Sequence, residues 1–172
     1  MNIDIIYIIS QILVVIYYII YSLTFQLNDS KKILLFGSVA TIISAISYIL
    51  LGAYTGMAMC FIAIIRNIIF ANKKSKNKIS YLILINSLII LLSILTYSNI
   101  FSLLNVFATI IYTYSLWSNN TKNYKLLGIV VNILMIGYDI SIKSIFGVIF
   151  MAISLISSII GYFREKKQKR DL

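Results

Sequence analysis

Proline and histidine are absent from this chain, cysteine occurs once, at position 60, and only five residues are acidic. Without histidine, and with a single thiol, a Cys/His metal site and a disulfide within one chain are both excluded. The acids Asp4, Asp29, Asp139, Glu165 and Asp171 are scattered. General acid–base chemistry therefore lacks both the imidazole and the buried carboxylate pair it ordinarily uses. No Walker or dinucleotide glycine pattern occurs either. The chain is not expected to be an enzyme, and no cofactor is expected. Charged residues of both signs make up 12% of the sequence, too few to cover the surface of a soluble domain of this length.

What is present is apolar: 60% of residues are hydrophobic, and the mean hydropathy is +0.96. The formal net charge of +10 comes from bases in short loops between long apolar runs. That placement is the positive-inside bias of a membrane protein, and it leaves no role for nucleic acid.

The first run, residues 3–27, is broken only by single polar residues such as Gln11. No base precedes it, and it is too long for the apolar core of a signal peptide, so a first span is expected. Residues 33–70 and 126–163 are two further runs of about 38 residues each. As one helix either would measure roughly 57 Å, nearly twice the ~30 Å hydrocarbon core. Each must fold back, the first at Gly52–Gly56, where two glycines allow a tight reversal, and the second near 140–144. With residues 79–97 and 100–117 the expected total is seven spans.

Basic residues fall in every second connection: Lys31 and Lys32, then Lys73, Lys74, Lys76 and Lys78, then Lys122 and Lys125, then the tail after Phe163. The uncharged connections lie between them, with Lys143 as the one base on that side. This alternation places the N-terminus outside and the C-terminus in the cytoplasm.

The two long runs also look like copies. Tyr21-Ser22-Leu23 recurs as Tyr114-Ser115-Leu116, each followed by an Asn- and Lys-containing loop. Tyr48 and Tyr138 stand near the two turns, with Gly56 and Gly147 just after them. All seven glycines lie in the two hairpins, where small residues let helices approach closely. The expected fold is an all-α integral membrane protein of two parallel three-helix repeats plus a linker helix. Within this single membrane domain, residues 1–78 form the first repeat, 79–97 the linker, 98–163 the second repeat and 164–172 a basic cytoplasmic tail.

The stretch LLGAYTGMAMCFIAIIRNIIF, with Arg66 closing the third span, resembles the corresponding hairpin of the YgjV-type bacterial inner-membrane protein family. The resemblance continues through the polar loop after Trp117 and into IIGYFREKK. It implies a bacterial inner-membrane location. The family's 3+1+3 layout is similar to that of the SWEET sugar transporters and the PnuC vitamin transporters. This chain lacks the Pro-Gln turn of many SWEET-like proteins and the tryptophan-rich motifs of PnuC-type carriers, so neither group's substrate carries over.

Candidate pathway residues are the polar and aromatic groups at membrane depth: Gln11, Tyr48, Arg66, Asn67, Asn105, Tyr112, Asn132, Tyr138 and Asp139. Arg66 is either an anion contact or gate, or a base that snorkels to the interface, which its place seven residues before Lys73 favours. Asp139, four residues before Lys143, is expected in a surface ion pair, with a proton or cation site as the alternative. Amides at this depth hydrogen-bond across helices, and together they suit a neutral hydroxyl- or amide-bearing solute. Tyr54, Tyr81, Tyr97, Tyr124, Tyr162 and Trp117 are expected in the interfacial belts, and Tyr17, Tyr18, Tyr48 and Tyr112 deeper in the bundle. Cys60 is expected as a small packing residue. The expected function is transport of a small neutral polar solute, with a non-transporting assembly partner or sensor as the alternative. The bilayer and the solute are the expected partners, a homo-oligomer being a further option.

Overall fold

The structure, a computed structural model, describes residues 3–71 and 79–168. Among them are seven helices: α1 (Ile3–Thr24), α2 (Ser30–Leu50), α3 (Tyr54–Ala71), α4 (Ile79–Leu95), α5 (Ser102–Trp117), α6 (Thr121–Ser141) and α7 (Ile145–Gln168). Five of them, α1, α2, α3, α6 and α7, are long and apolar enough to cross a membrane. The other two, α4 and α5, have 17 and 16 residues. At 1.5 Å per residue they are roughly 26 and 24 Å long, just short of the ~30 Å core. The cluster Lys73, Lys74, Lys76 and Lys78 and the tail residues 169–172 lie outside the described residues. The start of the expected tail, Arg164 to Lys167, continues α7 rather than leaving it.

The bundle is inside out relative to a water-soluble protein. On α1 the isoleucines at 5, 8, 12, 16 and 19 and Leu23 are exposed, three or four residues apart along one face. The opposite face buries Ser10, Gln11, Tyr18, Tyr21 and Thr24. The same inversion runs through α2, α3, α6 and α7, whose buried positions include Ser44, Asn67, Asn132 and Ser158. An apolar exterior of this extent is suited to hydrocarbon, and most of the buried serine and threonine hydroxyls find a partner within the protein. Many donate to a carbonyl of their own helix, as Ser38 does to Leu34, Thr41 to Gly37 and Ser154 to Phe150.

Packing closes six helices into a ring. Each of α1, α2, α3, α5, α6 and α7 packs on the next in that order, and α7 packs back on α1. The remaining helix, α4, lies outside the ring against α3 and α5. The Thr55 hydroxyl of α3 donates to the Thr96 carbonyl at the end of α4, which fixes the two at one end.

The hairpins α2–α3 and α6–α7 share the geometry of their first caps and of their turns, at a spacing of 91. Asp29 caps α2 by accepting from the Lys31 amide at 2.8 Å, and Asn120 caps α6 by accepting from the Lys122 amide at 3.0 Å. Both helices are 21 residues long. Both end in a left-handed turn residue, Gly52 at φ 66° and Lys143 at φ 56°. The paired bonds Ala53 N–H to Tyr48 O and Gly52 N–H to Ile49 O are matched by Ser144 to Asp139 and Lys143 to Ile140, all within 2.9–3.1 Å. This register aligns Tyr48 with Asp139.

Candidate functional site

The ring encloses a cavity of about 90 Å³. Its walls come from α1, α2, α3, α5 and α6, and neither α4 nor α7 reaches it. Four of the residues singled out from sequence meet there: Tyr48, Arg66, Asn105 and Tyr112. They share the wall with Tyr17, Tyr21, Thr41, Ser44, Cys60 and Thr109, among others.

Arg66 does not snorkel. It is 1% exposed and points across the bundle, so burial overturns the interfacial reading. Its Nε and one terminal nitrogen donate to Asn67 Oδ1 at 3.1 and 3.0 Å, and the other terminal nitrogen donates to Thr113 Oγ1 on α5 at 3.1 Å. The guanidinium also lies 5.0 Å from the centre of the Tyr112 ring. The Thr113 hydroxyl proton is donated to Thr109 O at 2.7 Å, so its oxygen is free to accept from the arginine. Asn67 is held in turn by donating to Ser38 on α2 at 3.1 Å. It therefore positions Arg66 rather than lining the cavity.

The other candidates lie elsewhere. Gln11 accepts from the Phe146 amide at 3.4 Å, in the contact of α1 with α7. Asn132 donates to Ser158 at 3.3 Å, between α6 and α7. Asp139 is not in a surface pair with Lys143. The helix ends at Ser141 and the chain turns at Lys143, so the i,i+4 geometry is lost. Instead Asp139 is buried and accepts from the Tyr18 hydroxyl at 2.5 Å.

Tyr138 stands between two spaces. It lines a recess of about 600 Å³ at the hairpin-turn end, together with Tyr54, Thr96 and Tyr97. Its hydroxyl accepts from the amide of Gly56, which lines the inner cavity, at 3.2 Å. Asn105 lies beside it on the cavity side, its Nδ2 buried and making no hydrogen bond of ordinary length.

Sequence reasoning missed three features. Tyr124, expected in an interfacial belt, is buried and shares a 2.6 Å hydrogen bond with Thr24. Cys60 lines the cavity instead of only filling space. Lys125, placed in a polar loop, lies one turn inside α6 and makes a buried ion pair with Glu165 at 3.0 Å. Asn28 accepts from this lysine at 2.7 Å, and Thr121 donates to the carboxylate at 2.6 Å. The α1 aromatics Tyr17 and Tyr21 had a legible signal: with Phe25 they recur every four residues on the face away from the isoleucines.

Comparison with known families bears on this inside-out ring. The pattern of the bacterial inner membrane protein family Imp-YgjV matches residues 8–169. The chain belongs to this family. The match takes in all seven helices, so the Imp-YgjV pattern covers the cavity and both hairpins. No curated protein and no solved structure matches the chain. As an Imp-YgjV protein it is a bacterial inner-membrane protein, embedded through its apolar helices in the bilayer.

Proposed function

We propose that this Imp-YgjV protein carries a small polar solute across the bacterial inner membrane. The observation that carries the reading is a space at the centre of a lipid-facing ring, lined by Arg66, hydroxyls and an amide among apolar residues and divided by Tyr138 from a wider recess. A bundle selected only for packing fills its centre, because each unfilled volume forfeits contacts.

The architecture proposed is two three-helix units, residues 1–78 and 98–163, joined by the linker 79–97. Support comes from the caps and turns repeated 91 residues apart. The packing order supports it as well, since exchanging α1, α2 and α3 for α5, α6 and α7 leaves the ring unchanged. In this reading α4 and α5 complete seven spans, the N-terminus is outside, and 164–172 faces the cytoplasm. Transport proceeds by rocking of the two units about the midplane site, as in parallel-repeat carriers such as the SWEET type. The hydroxyls and amides of the wall, Ser44, Tyr48 and Asn105 among them, suit the neutral hydroxyl- or amide-bearing part of a solute.

The experiment is uptake into proteoliposomes of purified protein against a panel of small hydroxylated and amide solutes. Saturable uptake above protein-free vesicles is expected. A second reading, a non-transporting assembly partner or sensor, is favoured by the small volume of the cavity. Absence of uptake for every solute would leave that reading standing.

A further inference from the structure

The cavity wall holds a buried cation that no acid among the described residues neutralises. Among the described residues the only ion pair is Lys125–Glu165, and Arg66 is not part of it. Its hydrogen bonds to the described residues go to neutral oxygens, those of Asn67 and Thr113. A guanidinium has five N–H groups and remains charged in proteins. Among the described residues three are used, which leaves one on each terminal nitrogen to donate to an acceptor such as a carboxylate. Asn67 holds the group in place by accepting from two of its nitrogens.

The hydroxyls of Tyr17, Tyr21 and Tyr48, all on the cavity wall, make no hydrogen bond to the described residues and are open to whatever fills the space. Three free hydroxyl donors and a cation without an acid around one space point to an acceptor-rich, negatively charged occupant. Size narrows it further. A dry cavity of about 150 Å³ accepts benzene, so about 90 Å³ limits the occupant to fewer than benzene's six non-hydrogen atoms.

We propose that the solute is a short ionised carboxylic acid, its carboxylate held by Arg66 and its remaining oxygens by the tyrosine hydroxyls. One negative charge cancels one positive charge, whereas a dianion would leave a net charge buried. This inference rests on reading the cavity as a solute site.

The test uses glycolate and its uncharged isostere glycolamide, each of five non-hydrogen atoms. Cys60 is the chain's only cysteine and lines the same cavity, so its alkylation rate in the purified full chain reports occupancy. Glycolate is expected to slow alkylation at concentrations at least about tenfold below those glycolamide needs, the least a charge-assisted pair confers. In Arg66→Gln the two should become equal, and in Arg66→Lys, which keeps the charge, the preference for the acid should survive in weakened form. Equal protection by the two compounds in the native chain, protection by neither, or an undiminished preference in Arg66→Gln would overturn the inference. Because the first comparison uses the native chain, misfolding of a variant does not obscure it. Uptake of both labelled compounds into proteoliposomes separates the two readings. Uptake of glycolamide without preference for glycolate sinks the acid and spares transport, and protection by glycolate without uptake spares the acid site and sinks transport.

Discussion

The hairpins α2–α3 and α6–α7 share caps and turns and treat their buried cations in opposite ways. In α6–α7 the buried cation has an acid for a partner. Lys125 meets Glu165 at 3.0 Å. In α2–α3 Arg66 is held, among the described residues, by neutral oxygens and lies on the cavity wall. The difference teaches that burial alone does not mark a functional charge. The partnered ions join elements of the ring, whereas the unpartnered one is arranged so that something else can complete it.

The largest effect that would sharpen this contrast is in the partnered hairpin. Glu165→Ala leaves the Lys125 charge buried without its carboxylate and should cost about 3–5 kcal/mol of stability. The double change of Lys125 and Glu165 to methionine should recover most of that loss, because two charges leave together. Chemical unfolding in detergent micelles measures both.

The turns give the next test. Gly52→Ala forces a side chain into the left-handed region at φ 66° and should cost roughly 1–2 kcal/mol. Lys143→Gly, at the matching turn, should change stability in the opposite direction, by up to about 1 kcal/mol. Thermal unfolding shows whether the signs differ. Helix caps come after the turns: Asp29→Ala and Asn120→Ala should each cost about 1 kcal/mol, and unequal losses in the same unfolding assay would break the equivalence of the two hairpins.

The smallest effect on stability is expected at Arg66. Arg66→Gln loses hydrogen bonds but also removes an uncompensated buried charge, so the net change should stay within about 1 kcal/mol. A loss as large as that of Glu165→Ala would mean that both cations are structural.

Much of the fold was legible because length is a hard constraint. Runs of about 38 apolar residues cannot cross a ~30 Å core once, and the structure turns both of them, at 51–53 and 142–144. The site was only half legible, and the reason is geometric. Spacing along one helix cannot show what lies across from it. Arg66 looks like a snorkelling base until Thr113 and Tyr112 of α5 are seen to face it. Asp139 and Lys143 look like an i,i+4 pair until the helix is seen to stop between them. Lys125 looked like a loop base because its acid is 40 residues away in sequence, on α7. The tyrosines of α1 carried a readable pattern, a four-residue aromatic repeat opposite the isoleucines.

The most direct measurement is whether the centre of the ring is reached from water. Cys60 serves without any engineering: a charged, membrane-impermeant thiol reagent is added to one face of sealed vesicles at a time, and modification of the native chain is followed. Modification from each face in turn, slowed when glycolate is present, is the expected result. A Cys60 that stays unmodified from both faces, and reacts only after the protein is unfolded, would show a closed core and contradict a solute passage.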